Sequence, residues 1–200
     1  NGLYDDDGAL IGYAFLGSDM TEQQQAHKDL LTLALTDELT GLLNRRGFIE
    51  HAKERLRERI SSHENPTATF LYGDLDGLKQ INDRWGHAVG SNALRAMADI
   101  LKLSFRETDL VGRWGGDEFT VLLDDHLERS TDPASLISRV QAQIAAYVRT
   151  HNPPYPLGIS FGVGTVKLAE PLIIEHLLTT ADQAMYQQKL VHKRHATLIE

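Results

Sequence analysis

Asp74 and Asp117 are the side chains whose type and surroundings best suit chemistry. Asp74 closes the run Thr67 to Gly73 (TATFLYG), which is apolar enough for a buried strand. An acid there is presented at a sheet rim. Asp117 directly follows Gly115 and Gly116, between two β-prone runs. If the two runs are neighbouring strands, both carboxylates can share Mg²⁺ or Mn²⁺ with a triphosphate. Magnesium takes one or two carboxylates plus phosphate oxygens, so no larger acidic cage is required. Glycines let a ligand approach the backbone, whose N–H groups can face phosphate oxygens. Lys79 stands five residues beyond Asp74 and can neutralise outer phosphates. A solvated hairpin with turn-forming acids accounts for the same spacing.

The elements that must position these residues alternate along the chain. Asn44 is a good cap for a helix running to about Ile60, and Ser61 to Pro66 read as a polar loop. A strand over Thr67 to Gly73 follows. Ser91 to Phe105 reads as a helix with Leu94, Met97, Ala98 and Leu101 on one face. Asp109 to Trp114 and Asp117 to Leu123 form a hairpin around a Gly115-Gly116 turn. A helix over Ser135 to Thr150, a strand over Leu157 to Val166 and a mainly helical stretch from Pro171 to Val191 complete the pattern. Mixed strands and helices with an antiparallel hairpin predict an α+β fold, a sheet covered by helices.

Composition narrows the class. The chain has 200 residues, 42 % hydrophobic, enough for one packed core and a short appendage. Its formal net charge of -8 argues against a nucleic-acid polymer as partner, because such binding depends on neutralising phosphates. With no cysteine, neither a disulfide framework nor a thiolate metal site can be built, which fits a cytoplasmic location. No run reaches the ~20 apolar residues of a membrane span. Asn1 reads as a cut inside a longer protein.

The motifs resemble, in order, those of the bacterial GGDEF nucleotidyl cyclase family. Asp37-Glu-Leu-Thr-Gly-Leu-Leu-Asn-Arg-Arg-Gly-Phe48 is similar to its opening motif, followed by Asp74-Leu-Asp-Gly-Leu-Lys79, Ile81-Asn-Asp83 and Gly86-His87. Arg113-Trp-Gly-Gly-Asp-Glu-Phe119 contains the name-giving letters. Ile159-Ser-Phe-Gly162 and Ala181-Asp-Gln-Ala-Met-Tyr186 with Lys189 match later motifs. The resemblance implies a palm-like fold with a central, mostly antiparallel sheet flanked by helices. It also implies that two GTP molecules on two facing domains, a homodimer, become cyclic di-GMP and pyrophosphate. Asp74, Asp117 and the Leu75 carbonyl match its metal ligands. Asp117 also matches the group that helps deprotonate the 3′-hydroxyl, with Glu118 and Lys79 beside it in the catalytic set. Lys79, Lys189 and Lys193 match phosphate contacts, Gly115 and Gly116 the substrate-facing turn, and Asn82 and His87 the substrate pocket. Asp76, Asp83 and, for metal contact, Glu118 read as mainly structural.

Two positions depart from the family. Ser91 stands where an Asp accepts hydrogen bonds from the guanine edge. A hydroxyl both donates and accepts, so it can serve guanine or adenine. Serine here resembles the promiscuous subgroup that also makes cyclic GMP-AMP from GTP and ATP; the alternative is that Ser91 only caps its helix. His192 replaces a glycine next to Lys193, which changes the phosphate contacts expected there. Arg106-Glu-Thr-Asp109 matches the family's inhibitory site for cyclic dinucleotide product; the alternative is a local ion pair at a helix end.

The front end resembles the last strand and exit of a PAS sensor domain over Asp7 to Glu22. The expected organisation is a sensor remnant over 1–18, a signalling helix over 19–36 and a catalytic domain over 37–200. A degenerate GGDEF domain that only binds nucleotide or protein is the competing function. It is disfavoured by the retention of Asp74, Lys79, Asp117 and Glu118. A polymerase palm shares the two-carboxylate logic but lacks a basic groove.

Overall fold

The computed structural model describes residues 2–4, 10–13, 34–124 and 133–197. The chain divides into two compact units, 1–34 and 35–200. In the first unit, β1 (Gly2–Tyr4) and β2 (Leu10–Tyr13) pair antiparallel. Most of the PAS-like stretch expected over Asp7 to Glu22 and most of the helix expected over 19–36 lie outside the described residues. Of that helix, Ala34 and Leu35 are helical and Thr36 bridges Leu43.

The second unit holds α1 (Arg45–Ser62), β3 (Thr67–Leu75), α2 (Leu78–Trp85), α3 (His87–Ser104), β4 (Leu110–Gly115), β5 (Glu118–Leu122), α4 (Pro133–His151), β6 (Ile159–Lys167) and α5 (Ile174–Thr197). The sheet order is β4-β5-β3-β6, and each neighbouring pair is antiparallel. The α+β expectation therefore holds.

Alternation along β3 builds the core on both faces. Leu71 and Leu75 point to one side, where they join Phe119, Val121 and Phe161 under Ile81 of α2, Met97 and Leu101 of α3 and Val140 of α4. Phe70 and Tyr72 point to the other and pack with Leu122, Phe48 and Leu56 of α1, and Ile174, Leu178 and Met185 of α5. α1 starts where expected: the Asn44 side chain accepts from the Gly47 N–H at 2.9 Å, a cap contributing about 1 kcal/mol. No helix among the described residues is long and apolar enough to cross a membrane.

Element ends moved for identifiable reasons. Ser61 and Ser62 extend α1, their hydroxyls bonding back to Arg57 and Glu58 carbonyls at 3.0 and 2.8 Å. β3 continues through Asp74 and Leu75 because strands on both sides supply ladder partners, Glu118 and Ser160 for Asp74. Tertiary pairing there overrides the low strand propensity of Asp. The hairpin turn is Gly116-Asp117 rather than Gly115-Gly116, since Gly115 still pairs with Glu118. Gly116, at φ 37°, carries the left-handed geometry the turn requires.

α3 begins at His87, four residues before Ser91. Gly86, at φ 85°, both closes α2 by donating to the Asn82 carbonyl and caps α3. Ser91 is therefore an interior helix residue, and the alternative that it only caps its helix is overturned. Gly90 sits inside the helix because a side chain there would collide with Oδ1 of Asn82.

Candidate active site

Three acids meet at one end of the sheet. Asp74 lies directly opposite Glu118 across β3 and β5, and the Leu75 N–H donates to the Asp117 carbonyl at 2.9 Å. The strand acid and both hairpin acids are thus held by the backbone, within two strands. Leu75 is buried while Asp74, Asp117 and Glu118 remain half-exposed. Burial pushes the Glu118 carboxyl up; the hydrogen bond from Tyr72 opposes this, while the charges of Asp117, Asp74 and Asp182 add to the rise. Burial followed by the charge of Glu118 holds the Tyr72 hydroxyl far above its ordinary range, so it stays a donor.

Tyr72 and Asp182 were not among the sequence candidates. Tyr72 had a legible signal: it precedes Asp74 by two residues, so the strand period puts both side chains on one face. Asp182 was legible only as a letter of the motif Ala181 to Tyr186. It reaches the acids because α5 lies at backbone contact on β6, where a side chain on Gly162 would strike the Ala181 carbonyl and the Met185 N–H. A Cβ on Gly164 would likewise come within 2.9 Å of the Ala181 N.

The donor set fits a hard divalent cation. All candidate ligands are oxygens, and the mutual repulsion that adds to burial in raising Glu118 is what a cation would relieve. Among the described residues no group of three or more His, Asp or Glu forms a metal cage, and Mg²⁺ with phosphate oxygens needs none.

Asp76 is structural, as expected. It accepts from Ser160 Oγ at 2.7 Å and donates its N–H to Gly158 O at 2.9 Å, tying the end of β3 to the start of β6. Lys79 and His87 are exposed, on α2 and as the first residue of α3. Asn82 is half-buried with its amide against Gly90, beside half-buried Ser91. These four outline a surface between α2 and α3. Lys189 and Lys193 lie on α5, but their side chains lie outside the description.

Arg113 holds the turn. Its Nε and Nη2 donate to the Gly116 carbonyl at 3.0 and 2.6 Å, and its Nη1 donates to both carboxylate oxygens of Asp37 at 3.1 and 3.2 Å. Asp37 also accepts from the N–H and hydroxyl of Thr40 at 2.9 and 2.7 Å. Burial alone would raise the Asp37 carboxyl, but the Thr40 and Arg113 hydrogen bonds and the Arg113 charge outweigh it and hold it below the usual range.

Away from the acids, Arg106, Asp109 and Lys102 line a cavity of about 400 Å³. The two sequence-predicted residues do come together, but not as an ion pair. The Asp109 carboxylate accepts from the backbone N–H of Arg106 at 2.8 Å and of Asp124 at 2.9 Å. The guanidinium of Arg106 is left exposed.

The family model described as diguanylate cyclase, GGDEF domain, matches residues 34–195. The chain is 29 % identical over 163 residues to the diguanylate cyclase DgcS of Shewanella oneidensis, covering 82 % of this chain and 52 % of that protein. It is 33 % identical over 171 residues to the probable diguanylate cyclase DgcC of Escherichia coli, covering 84 % of this chain and 44 % of that one. It thus spans about half the length of the curated relatives it matches. A truncated TpbB (YfiN) of Pseudomonas aeruginosa, comprising only the GGDEF domain, superposes with a TM-score of 0.63 at 34 % identity, covering 76 % of this chain and 86 % of that one.

Proposed function

Since the chain belongs to the GGDEF family of diguanylate cyclases, we propose that it condenses two GTP molecules into cyclic di-GMP with release of pyrophosphate. The observation that carries this is the meeting of Asp74, Asp117 and Glu118 at one sheet end. A degenerate member would have no reason to keep that arrangement intact. Incubation with GTP and Mg²⁺, followed by assay of pyrophosphate and cyclic product, tests it; absence of both would leave only a binding module.

The residues divide the work. Asp74 and Asp117, with the Leu75 carbonyl, would hold Mg²⁺, which when bound offsets charge on the attacking oxygen and the phosphoryl group. Asp117 assists removal of the 3′-hydroxyl proton. Tyr72 fixes Glu118 beside it. Lys79, Lys189 and Lys193 receive the phosphates, and Gly115 and Gly116 let the substrate lie close to the turn. Asn82 reads the base, with His87 at the same surface. Two triphosphates need two facing domains, so the active form is a homodimer. Product returning to Arg106 and Asp109 would restrain it. The domain works where GTP is abundant, in the bacterial cytoplasm, downstream of a sensor ending near residue 18 and a transmission helix over 19–36.

A second product is favoured by Ser91. Its interior position in α3, one residue past the glycine on which Asn82 rests, leaves capping to Gly86. A hydroxyl beside Asn82 accepts ATP as well as GTP, giving cyclic GMP-AMP from the mixture.

A further inference from the structure

A cavity of about 420 Å³ lies against Gly115 and Gly116 and is lined by Arg45, Arg46, Arg113 and Trp114. Three guanidiniums around one cavity are conspicuous in a chain of net charge -8. Arg113 is committed to Asp37 and Gly116. The other two are not. Arg45 lies over the Trp114 ring, 4.8 Å from its centroid, and pairs with Glu175 at 3.7 Å; Arg46 pairs with Glu50 at 3.1 Å. Their side chains are 58 % and 71 % exposed. Such pairs contribute about 0–1 kcal/mol, so each can exchange its carboxylate for a phosphate at little cost. Stacking on Trp114 pre-orients one planar fork, the geometry that binds phosphate bidentately.

The cyclase reaction, on which this inference rests, brings a second triphosphate to the same turn. Each 3′ oxygen bonds to the α-phosphorus of the other nucleotide. The bond from that phosphorus to the bridging oxygen breaks, and its electron pair leaves on pyrophosphate; the hydroxyl proton is released to solvent. One domain holds one nucleotide, so the other arrives on a second copy, with its polyphosphate facing a turn whose own acids repel it. We propose that Arg45 and Arg46 form a receiving site for the polyphosphate of the nucleotide presented by that second copy, offsetting the charge that gathers on departing pyrophosphate.

The test separates affinity from turnover. In Arg45→Gln/Arg46→Gln, kcat should fall at least about tenfold, since arginines acting across an interface on phosphoryl transfer contribute this much or more. Affinity of the dilute protein for GTP carrying a methylene bridge between the α- and β-phosphorus should stay unchanged. Equal loss of affinity would make this a site for the domain's own substrate, and unchanged kcat would make the arginines surface residues; either overturns the proposal. Should the glutamine variant fail to fold, Arg45→Lys/Arg46→Lys decides: charge without the fork should retain only part of the turnover, at full analogue affinity. A parent that makes no product would instead refute the cyclase function.

Discussion

Replacing Asp74 or Asp117 with Asn removes a charge but hardly alters shape, and neither side chain is buried in the core. Both variants should keep the parent's unfolding midpoint and lose product formation by at least about a hundredfold, the scale of removing a group that stabilises developing charge. Near-parental turnover in either would contradict their role. Asp37 behaves differently, because its value is to the fold. Its folded-state pKa is depressed, so its pairing stabilises the protein fully above the unfolded-state value near 4. That contribution disappears as pH falls through the lower folded-state value. Asp37→Asn should therefore cost about 1.5–3 kcal/mol at pH 7, with the gap to the parent closing below about pH 4; urea unfolding across pH shows whether it does. Residue type and spacing made Asp74 and Asp117 legible in the sequence. Arg113 was legible only as a letter of a motif, since nothing local reveals that its fork spans 76 residues of chain to Asp37.

Elements were readable in kind and less so at their ends. The β3 pattern pointed to a strand, but its last two residues are strand only because β5 and β6 flank them. Gly90 looked like a boundary and is instead a helix residue shaped by Asn82. That shift bears on Ser91, whose effect should be on substrate choice rather than helix stability. Ser91→Asp should suppress the mixed product formed from equal GTP and ATP by about 10- to 100-fold, as a charge-assisted acceptor returns to the guanine edge. Mass spectrometry of the products reads this directly, and a parent that ignores ATP would refute it. Between β6 and α5 the contact is backbone to backbone. Gly162→Ala should destabilise the domain by about 1–3 kcal/mol, the cost of overfilling a packed contact. An unchanged denaturant midpoint would show that α5 can shift freely.

At the scale of the molecule, one described domain presents one set of acids, and the proposed product needs two. Specific activity should rise with protein concentration until dimers saturate. Light scattering alongside the assay checks this: a strict monomer with constant specific activity would exclude a paired mechanism.

Arg113 also has a kinematic consequence. Its guanidinium is a rigid plane, so its bonds to Asp37 and to the Gly116 carbonyl cannot lengthen independently. The arrangement works as a strut rather than a spring. A displacement of the chain at Asp37 either breaks a bidentate pair or is delivered undiminished to the turn that carries Asp117. Such a joint has few intermediate positions, and the acid mounted on it is switched rather than graded.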